Sequence, residues 1–241
     1  MGRAIVSAAG AFPGLTLIGA ISSPGSTALG RDSGLLAGGP ANQLTVSADL
    51  AAVVARAQVV IDFSGPEATE GNLAACVAAG TPLLLGSTGF APALEAQFAA
   101  AARRIALLVA PNTSLGVTLL CELTRLAAAA LPGYRLSISE THHAGKLDAP
   151  SGTALALRTA LTQGRAGGAH SEIPIVSHRE GEIVGEHTVA FHGPGEELFL
   201  THKATDRAIF AKGALAAALW LASKPPGRYA MRDLLPGKTA T

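Results

Sequence analysis

The sequence predicts an α/β protein in which a parallel sheet covered by helices is joined to a second domain with a smaller, half-exposed sheet. Three observations carry this. Over residues 1 to about 131, apolar runs of strand length alternate with helical patterns, the way a chain writes a parallel sheet. Beyond Gly133 the runs shorten and alternate between apolar and polar residues, which suits an antiparallel or mixed sheet. From Arg207 to Lys224 the chain returns to an apolar helix with ALAAALWLA at its centre. The expected division is residues 1–113 with 207–241 in one domain and 114–206 in the other.

Taken in order, MGRAIVSAAG reads as the start of a helix, since its apolar run is too short for a signal peptide and lacks a cleavage site. The strand candidates of the first domain are Leu15 to Ser22, Ala57 to Phe63, Thr81 to Gly86 and Ile105 to Ala110. Several are almost wholly apolar, as strands buried on both faces should be. Between them Pro66 to Ala79, Ala91 to Arg104 and Ser114 to Leu131 read as helices, two with proline near the first turn, where a missing N–H costs least. In the second domain RLSISETHH, EIVGEHTVAFHG and ELFLTHKA are strand-like, and the closing PPGRYAMRDLL reads as a turn and short tail.

Composition narrows the function. The chain has 241 residues, of which 49 are Ala and 28 Gly, so backbones can approach closely. With 49% hydrophobic and 15% charged residues there is material for a real core, which excludes disorder as the main state. Lys and Arg number 18 against 17 Asp and Glu, without the basic excess that a nucleic-acid partner needs. No apolar run approaches the roughly 18 residues of a membrane span. Cys76 and Cys121 match neither a disulfide framework nor zinc spacing, and reduced thiols in a cytoplasmic protein are expected.

In an open parallel sheet, ligands bind beyond the carboxyl ends of the strands. Three such ends read DFSGPEAT, GSTGF and APNTS, each offering small residues, hydroxyls or an amide ahead of a helix. Any one of them is most simply a helix cap. Three converging on one sheet edge favour a nucleotide and its nicotinamide ring.

The richest segment is ETHHAGKLDAPSGT, residues 140 to 153. Adjacent strand residues face opposite ways, so one of His142 and His143 can address a substrate while the other packs or orients. Lys146 follows closely enough to share an anionic site with an imidazole and influence its proton affinity. Ser151, Gly152 and Thr153 open a helix whose first N–H groups, with two hydroxyls, suit a carboxylate or phosphate. Asp148 most simply pairs with Lys146. A zinc site drawn from His142, His143 and Asp148 is crowded in sequence, and no metal is expected. His170 and His178 read as surface loop residues; His187, His192 and His202 read as structural strand histidines. Lys203 and Arg207, in THKATDR, read as surface charges, or as residues that bind acid groups or join the domains.

The run E-x-H-H-x-x-K-x-D-A-P-S-G-T-A closely resembles the signature of the 4-hydroxy-tetrahydrodipicolinate reductase family, also called dihydrodipicolinate reductase, of the diaminopimelate route to lysine. IDFSGPEAT, GSTGF, APNTSLGV, SHREGEIVGEH, THKATDRAIFAKGA and MRDLL extend the likeness, in family order, almost to the C-terminus. The resemblance implies a Rossmann-type dinucleotide-binding domain, a substrate-binding and oligomerisation domain inserted before the final helix, a homotetramer, and reduction by NADPH or NADH. By position it makes His142 the proton donor and Lys146 its catalytic partner, with His143, Ser151, Gly152 and Thr153 around the dicarboxylate. Gly86, Ser87 and Thr88, together with Ala110, Pro111, Asn112 and Thr113, match the nicotinamide loops.

Two departures stand out. The family begins with a strand and a glycine-rich phosphate turn, whereas this chain opens at Met-Gly-Arg, which looks like the end of that turn and leaves Met1 as its one cofactor contact. An N-terminally truncated sheet lacking its first strand is therefore expected. Ser22-Ser23 stand where the family often has an acidic residue for the ribose, leaving NADH against NADPH open. Two other readings share the plan: an amino-acid dehydrogenase, which would not need HHxxKxDAPSGT, and an inactive or nucleotide-sensing binding protein, which the missing phosphate loop would favour. The segment from Gly164 to Glu172 is short for the family.

Overall fold

Leu83, Leu84 and Leu85 are each fully buried, and the period of two along them explains the layering of the first part of the chain. Leu83 and Leu85 join Leu107 in a core with Leu73, Cys76, Leu94 and Phe98. Leu84 points the other way, joining Ala106 and Leu108 in a core with Ala217, Leu221 and Met231. Such a sheet needs helices on both faces, which is why these strands read as unbroken apolar runs.

The computed structural model describes residues 1–165 and 172–236 and divides into two compact units, Met1–Thr113 with Phe210–Thr241, and Ser114–Ile209. The first unit begins with α1 (Gly2–Ala9), β1 (Ala20–Ile21), α2 (Ser33–Leu36), β2 (Val46–Ser47) and α3 (Leu50–Val54). It continues through β3 (Val60–Asp62), α4 (Pro66–Ala79), β4 (Leu83–Leu85), α5 (Leu94–Ala101) and β5 (Ala106–Val109). The second unit holds α6 (Leu115–Ala130), β6 (Arg135–His142), α7 (Gly152–Gly164), β7 (Ile175–Arg179), β8 (Gly185–His192) and β9 (Glu197–Ala204). The chain then forms α8 (Ala208–Leu221), β10 (Gly227–Tyr229) and a 3₁₀ turn over Met231–Leu234.

In the first unit all strand pairs are parallel, but they form two sheets, β1-β2 and β10-β5-β4-β3. Only Ala20 and Ile21 of the expected strand Leu15 to Ser22 are laddered, against Val46 and Ser47. Leu15 and Leu17 instead pack with Ile61 and Phe63 around Ile5, Ala9 and Leu215. Their apolar character serves a core contact without a strand neighbour. The closing segment is a second correction: Gly227 to Tyr229 extend the sheet beside β5, and Met231 is buried in its core. Three residues reading Gly-Arg-Tyr show no period, and the neighbouring strand decides their conformation.

The second unit has one mixed sheet in the order β7-β6-β8-β9, in which β6 and β7 are parallel and the other pairs antiparallel. Leu136 and Ile138 of β6 and Val189 and Phe191 of β8 face α6 and α7, where Leu120, Ala128, Leu157 and Leu161 complete the core. His178 lies on β7 rather than in a loop, on its exposed side, because pairing with β6 draws that segment into the sheet. His170 and most of the segment from Gly164 to Glu172 lie outside the described residues.

Candidate active site

The buried face of β6 does not stay apolar. After Leu136 and Ile138 the same alternation turns Glu140 and then His142 inward, 1% and 8% exposed. Across the ladders, Glu140 stands opposite Ser177 of β7 and His187 of β8, and His187 stands opposite His202 of β9. Arg179 is the β7 neighbour of His142. A polar patch thus continues the core where α7 begins.

Glu140 organises this patch. Its Oε1 accepts from the Ser151 amide at 3.0 Å, the Ser177 hydroxyl at 2.7 Å and Arg179 Nη2 at 3.3 Å. Burial by itself would raise its pKa, but hydrogen bonds from Ser151, Ser177 and Arg179 outweigh it and hold the carboxyl down at about 2. Its Oε2 is buried without a hydrogen bond, 3.5 Å from His142 Nδ1 and 3.6 Å from His187 Nε2. The two imidazoles meet edge to face with centroids 5.0 Å apart.

Both histidines are pushed toward neutrality. For His142 the main cause is burial, opposed by the Glu140 charge and reinforced by Lys146 and Arg179. For His187 burial and the neighbouring His142 bring the pKa down to about 4 against the pull of Glu140. A ring held neutral by desolvation yet backed by a carboxylate is suited to taking up and passing on a proton.

The loop after β6 is fastened by Arg179. Its Nε donates to the Lys146 carbonyl at 3.2 Å and its Nη2 to the Asp148 carbonyl at 2.6 Å. The Lys146 ammonium reaches both oxygens of Asp148, at 2.6 and 2.8 Å, and this contact lowers the Asp148 pKa. His143 is half-buried and its carbonyl accepts from the Lys146 amide, closing the turn.

The start of α7 differs from expectation. Ser151 is 3% exposed, and its hydroxyl caps the helix by accepting from the Ala154 amide at 3.1 Å while meeting His187 Nε2 at 3.0 Å. Its own amide is taken by Glu140. Two groups expected to greet a ligand are therefore committed to the frame, while Gly152 is exposed and Thr153 half-buried.

One carboxylate oxygen and two ring nitrogens of Glu140, His142 and His187 lie within 4.8 Å of one another, a donor set chemically able to take a divalent cation. Its members differ from the His142, His143 and Asp148 set weighed on sequence. Glu140, Ser177 and Arg179 carry the site without having been singled out from sequence, and His187, read there as a structural strand histidine, joins them. Glu140 was discoverable, since it sits two residues before His142 on an alternating strand. Ser177, Arg179 and His187 come from β7 and β8, and only pairing brings them in.

In the first unit, the carboxyl ends of β3, β4 and β5 hold the expected loops. Asp62 accepts from the Ser64 amide at 2.8 Å, the Ser64 hydroxyl at 2.6 Å and Asn72 at 2.9 Å, tying the turn after β3 to α4. Ser87 is buried and donates to the Ser64 carbonyl, and Thr113 donates to the Phe210 carbonyl at 2.7 Å. A β-carbon at Gly86 would fall 2.3 Å from the Phe63 ring, so the β4 turn admits no side chain there. Thr88 and Pro111 are exposed, Asn112 is half-buried and Ala110 is buried. Hydroxyls tied to backbone, a glycine turn and neighbouring small residues make the ends of these strands a largely main-chain edge. Met1, at the start of α1, is 48% exposed.

Family models for dihydrodipicolinate reductase match almost the whole chain, the N-terminal model over residues 1–113 and the C-terminal model over residues 116–235. A 4-hydroxy-tetrahydrodipicolinate reductase from Thiobacillus denitrificans is 46% identical, with 98% of this chain and 94% of the relative aligned. One of the same name from Anaeromyxobacter dehalogenans is also 46% identical, over 98% and 93% of the two chains. Among solved structures, the dipicolinate-bound dihydrodipicolinate reductase from Paenisporosarcina sp. TG-14 superposes with a TM-score of 0.81 at 22% identity, covering 97% of this chain and 95% of the other. An amine dehydrogenase from Mycobacterium smegmatis gives 0.63 at 16% identity, covering 100% and 94%. At those identities the structural likeness concerns the fold.

Proposed function

The chain belongs to the dihydrodipicolinate reductase family, and from that premise we propose that it reduces 4-hydroxy-tetrahydrodipicolinate to tetrahydrodipicolinate with NADPH or NADH, as a homotetramer in the cytoplasm. The observation that carries the reading is the inward placement of His142 beside Glu140 and His187, next to a loop that presents Lys146. A reader of nucleotide alone would not need a buried imidazole set against a carboxylate.

In this reading Met1, Gly86, Ser87, Thr88, Ala110, Pro111, Asn112 and Thr113 hold the nucleotide by main chain and small side chains. The reduced nicotinamide supplies a hydride. His142 supplies the proton that accompanies it, and the substrate's 4-hydroxyl departs as water, so that hydride, proton and lost water balance the conversion. Lys146 adds positive charge for a carboxylate, the family's catalytic partner role, while Asp148 steadies the ammonium between turnovers. His143, Gly152 and Thr153 hold the other acid group, and Ser151 keeps α7 in place for them through its cap. No helix among the described residues is long and apolar enough to cross a membrane.

Following nicotinamide absorbance with freshly made substrate tests the activity. Oxidation that depends on substrate is expected, with NADPH and NADH compared in parallel. Replacing His142 by Ala should lower turnover about 10² to 10⁴-fold while substrate binding changes less. Binding of nucleotide with no substrate-dependent oxidation would leave a sensing protein as the better account.

A further inference from the structure

The geometry points to Glu140 as the positioning residue of this site: its Oε2 receives the Nδ1–H of His142, which leaves Nε2 as the nitrogen that gives up the proton. The inference rests on the reading of His142 as proton donor and adds a residue to it.

Two buried atoms motivate it. Glu140 Oε2 and His142 Nδ1 are each sealed from solvent with no hydrogen-bond partner, and they lie 3.5 Å apart. An acceptor and a potential donor left unsatisfied side by side are most economically resolved by one another, since each alone is unfavourable when buried. Glu140 cannot turn away, because its other oxygen is fixed by Ser151, Ser177 and Arg179. His142 Nε2 sits over Gly185, 3.0 Å from where a β-carbon there would lie, so the glycine gives this nitrogen its space.

The proton inventory closes. The imidazolium releases Nε2–H to the substrate and becomes a neutral ring that keeps Nδ1–H toward Glu140; water then restores the proton on Nε2. The carboxylate stays ionised throughout, stabilising the charged ring and fixing the tautomer of the neutral one. The other charged or titratable groups facing His142 are Lys146 and Asp148 from the loop, Arg179 from β7 and His187 from β8, with His202 of β9 behind His187. Lys146 and Arg179 oppose protonation, and Glu140 is the strongest influence favouring it.

Glu140→Gln separates the possibilities. The amide oxygen can still accept from Ser151, Ser177 and Arg179, which preserves the frame and turns an –NH₂ toward His142 Nδ1. Nitrogen NMR of the ligand-free enzyme should show neutral His142 with its proton on Nδ1, moving to Nε2 in the variant. The alkaline limb of kcat/KM should shift down by about one pH unit, with turnover at neutral pH reduced tenfold or more and nucleotide KM unchanged. In a His142→Ala background the same substitution should cost nothing further. An unmoved tautomer and pH limb, or an equal loss in both backgrounds, overturns the positioning role and reduces Glu140 to an anchor for α7. Full turnover in His142→Ala alone would instead overturn the proton-donor reading, and the NMR result still decides the tautomer. A variant that melts far below the parent is replaced by Ser177→Ala, which removes one of the Glu140 donors and is expected to move the pH limb in the opposite direction to Glu140→Gln without flipping the tautomer; a shift in the same direction counts against the proposal.

Discussion

Gly185 and His142 occupy the same small space: a β-carbon at Gly185 would stand 3.0 Å from the imidazole Nε2 and 3.2 Å from Cδ2. His187 would lie beyond it at 3.7 Å. The glycine is there for the ring, since its backbone conformation makes no demand that another residue could not meet.

Gly185→Ala should therefore move the ring by a few tenths of an ångström and lower turnover about tenfold. The loss of stability should stay within about 1 kcal/mol. Steady-state kinetics and a denaturant melt on the same preparation check both halves. A variant as active as the parent would mean that the ring can yield without loss of its working position.

Ser151→Ala removes a cap and the partner of His187 Nε2 together. The cap contributes about 1 kcal/mol and the unpaired buried nitrogen about 1 to 3 more. Urea unfolding should show a lower midpoint with an unchanged slope. Ser151→Thr, which keeps the hydroxyl, should recover part of the difference.

Acid should weaken the protein in two windows. His187 has a folded pKa lowered to about 4 from 6.5, so the unfolded chain binds the extra proton first and stability falls as pH drops from 6.5 toward 4. Glu140 is lowered from 4.5 to about 2, so its contribution, intact above 4.5, is lost between there and 2. Unfolding midpoints measured across this range should decline from the upper window onward. His187→Gln should flatten the upper part and leave the lower part in place.

The outer face of the second sheet carries exposed apolar side chains, Val176 on β7 and Phe199 on β9, with Phe199 54% exposed. Covering such a face by another copy accounts for them and for the proposed tetramer. Phe199→Glu should reduce the particle mass seen by light scattering at micromolar concentration while the circular dichroism stays that of a folded chain. An unchanged mass would place the contact elsewhere.

Much of this was readable in advance, and what was not has a common cause. Pro66–Ala79 carries its own start and stop, Pro at its first turn and left-handed Gly80 after its last, so local chemistry defines it. Gly227–Tyr229 has no such marks and is a strand because β5 lies beside it. Within the site, His142 and Lys146 belong to one contiguous run, whereas Arg179 and His187 reach it only through ladders with β7 and β8. The Ser151 hydroxyl, which sequence offers to a ligand, is absorbed by a cap and a histidine, a competition that only the folded neighbourhood decides.

One stripe of β6 serves both cohesion and chemistry, with Leu136 and Ile138 anchoring the half that leads into Glu140 and His142. A slip of one residue against β8 would turn Ser137, Ser139 and Thr141 inward and put both apolar anchors and both working groups into water. Misaligned copies would therefore be inert and unstable at once. The protein has no low-cost way to be well folded around a misaligned β6, so whatever secures the core register also secures the placement of Glu140 and His142.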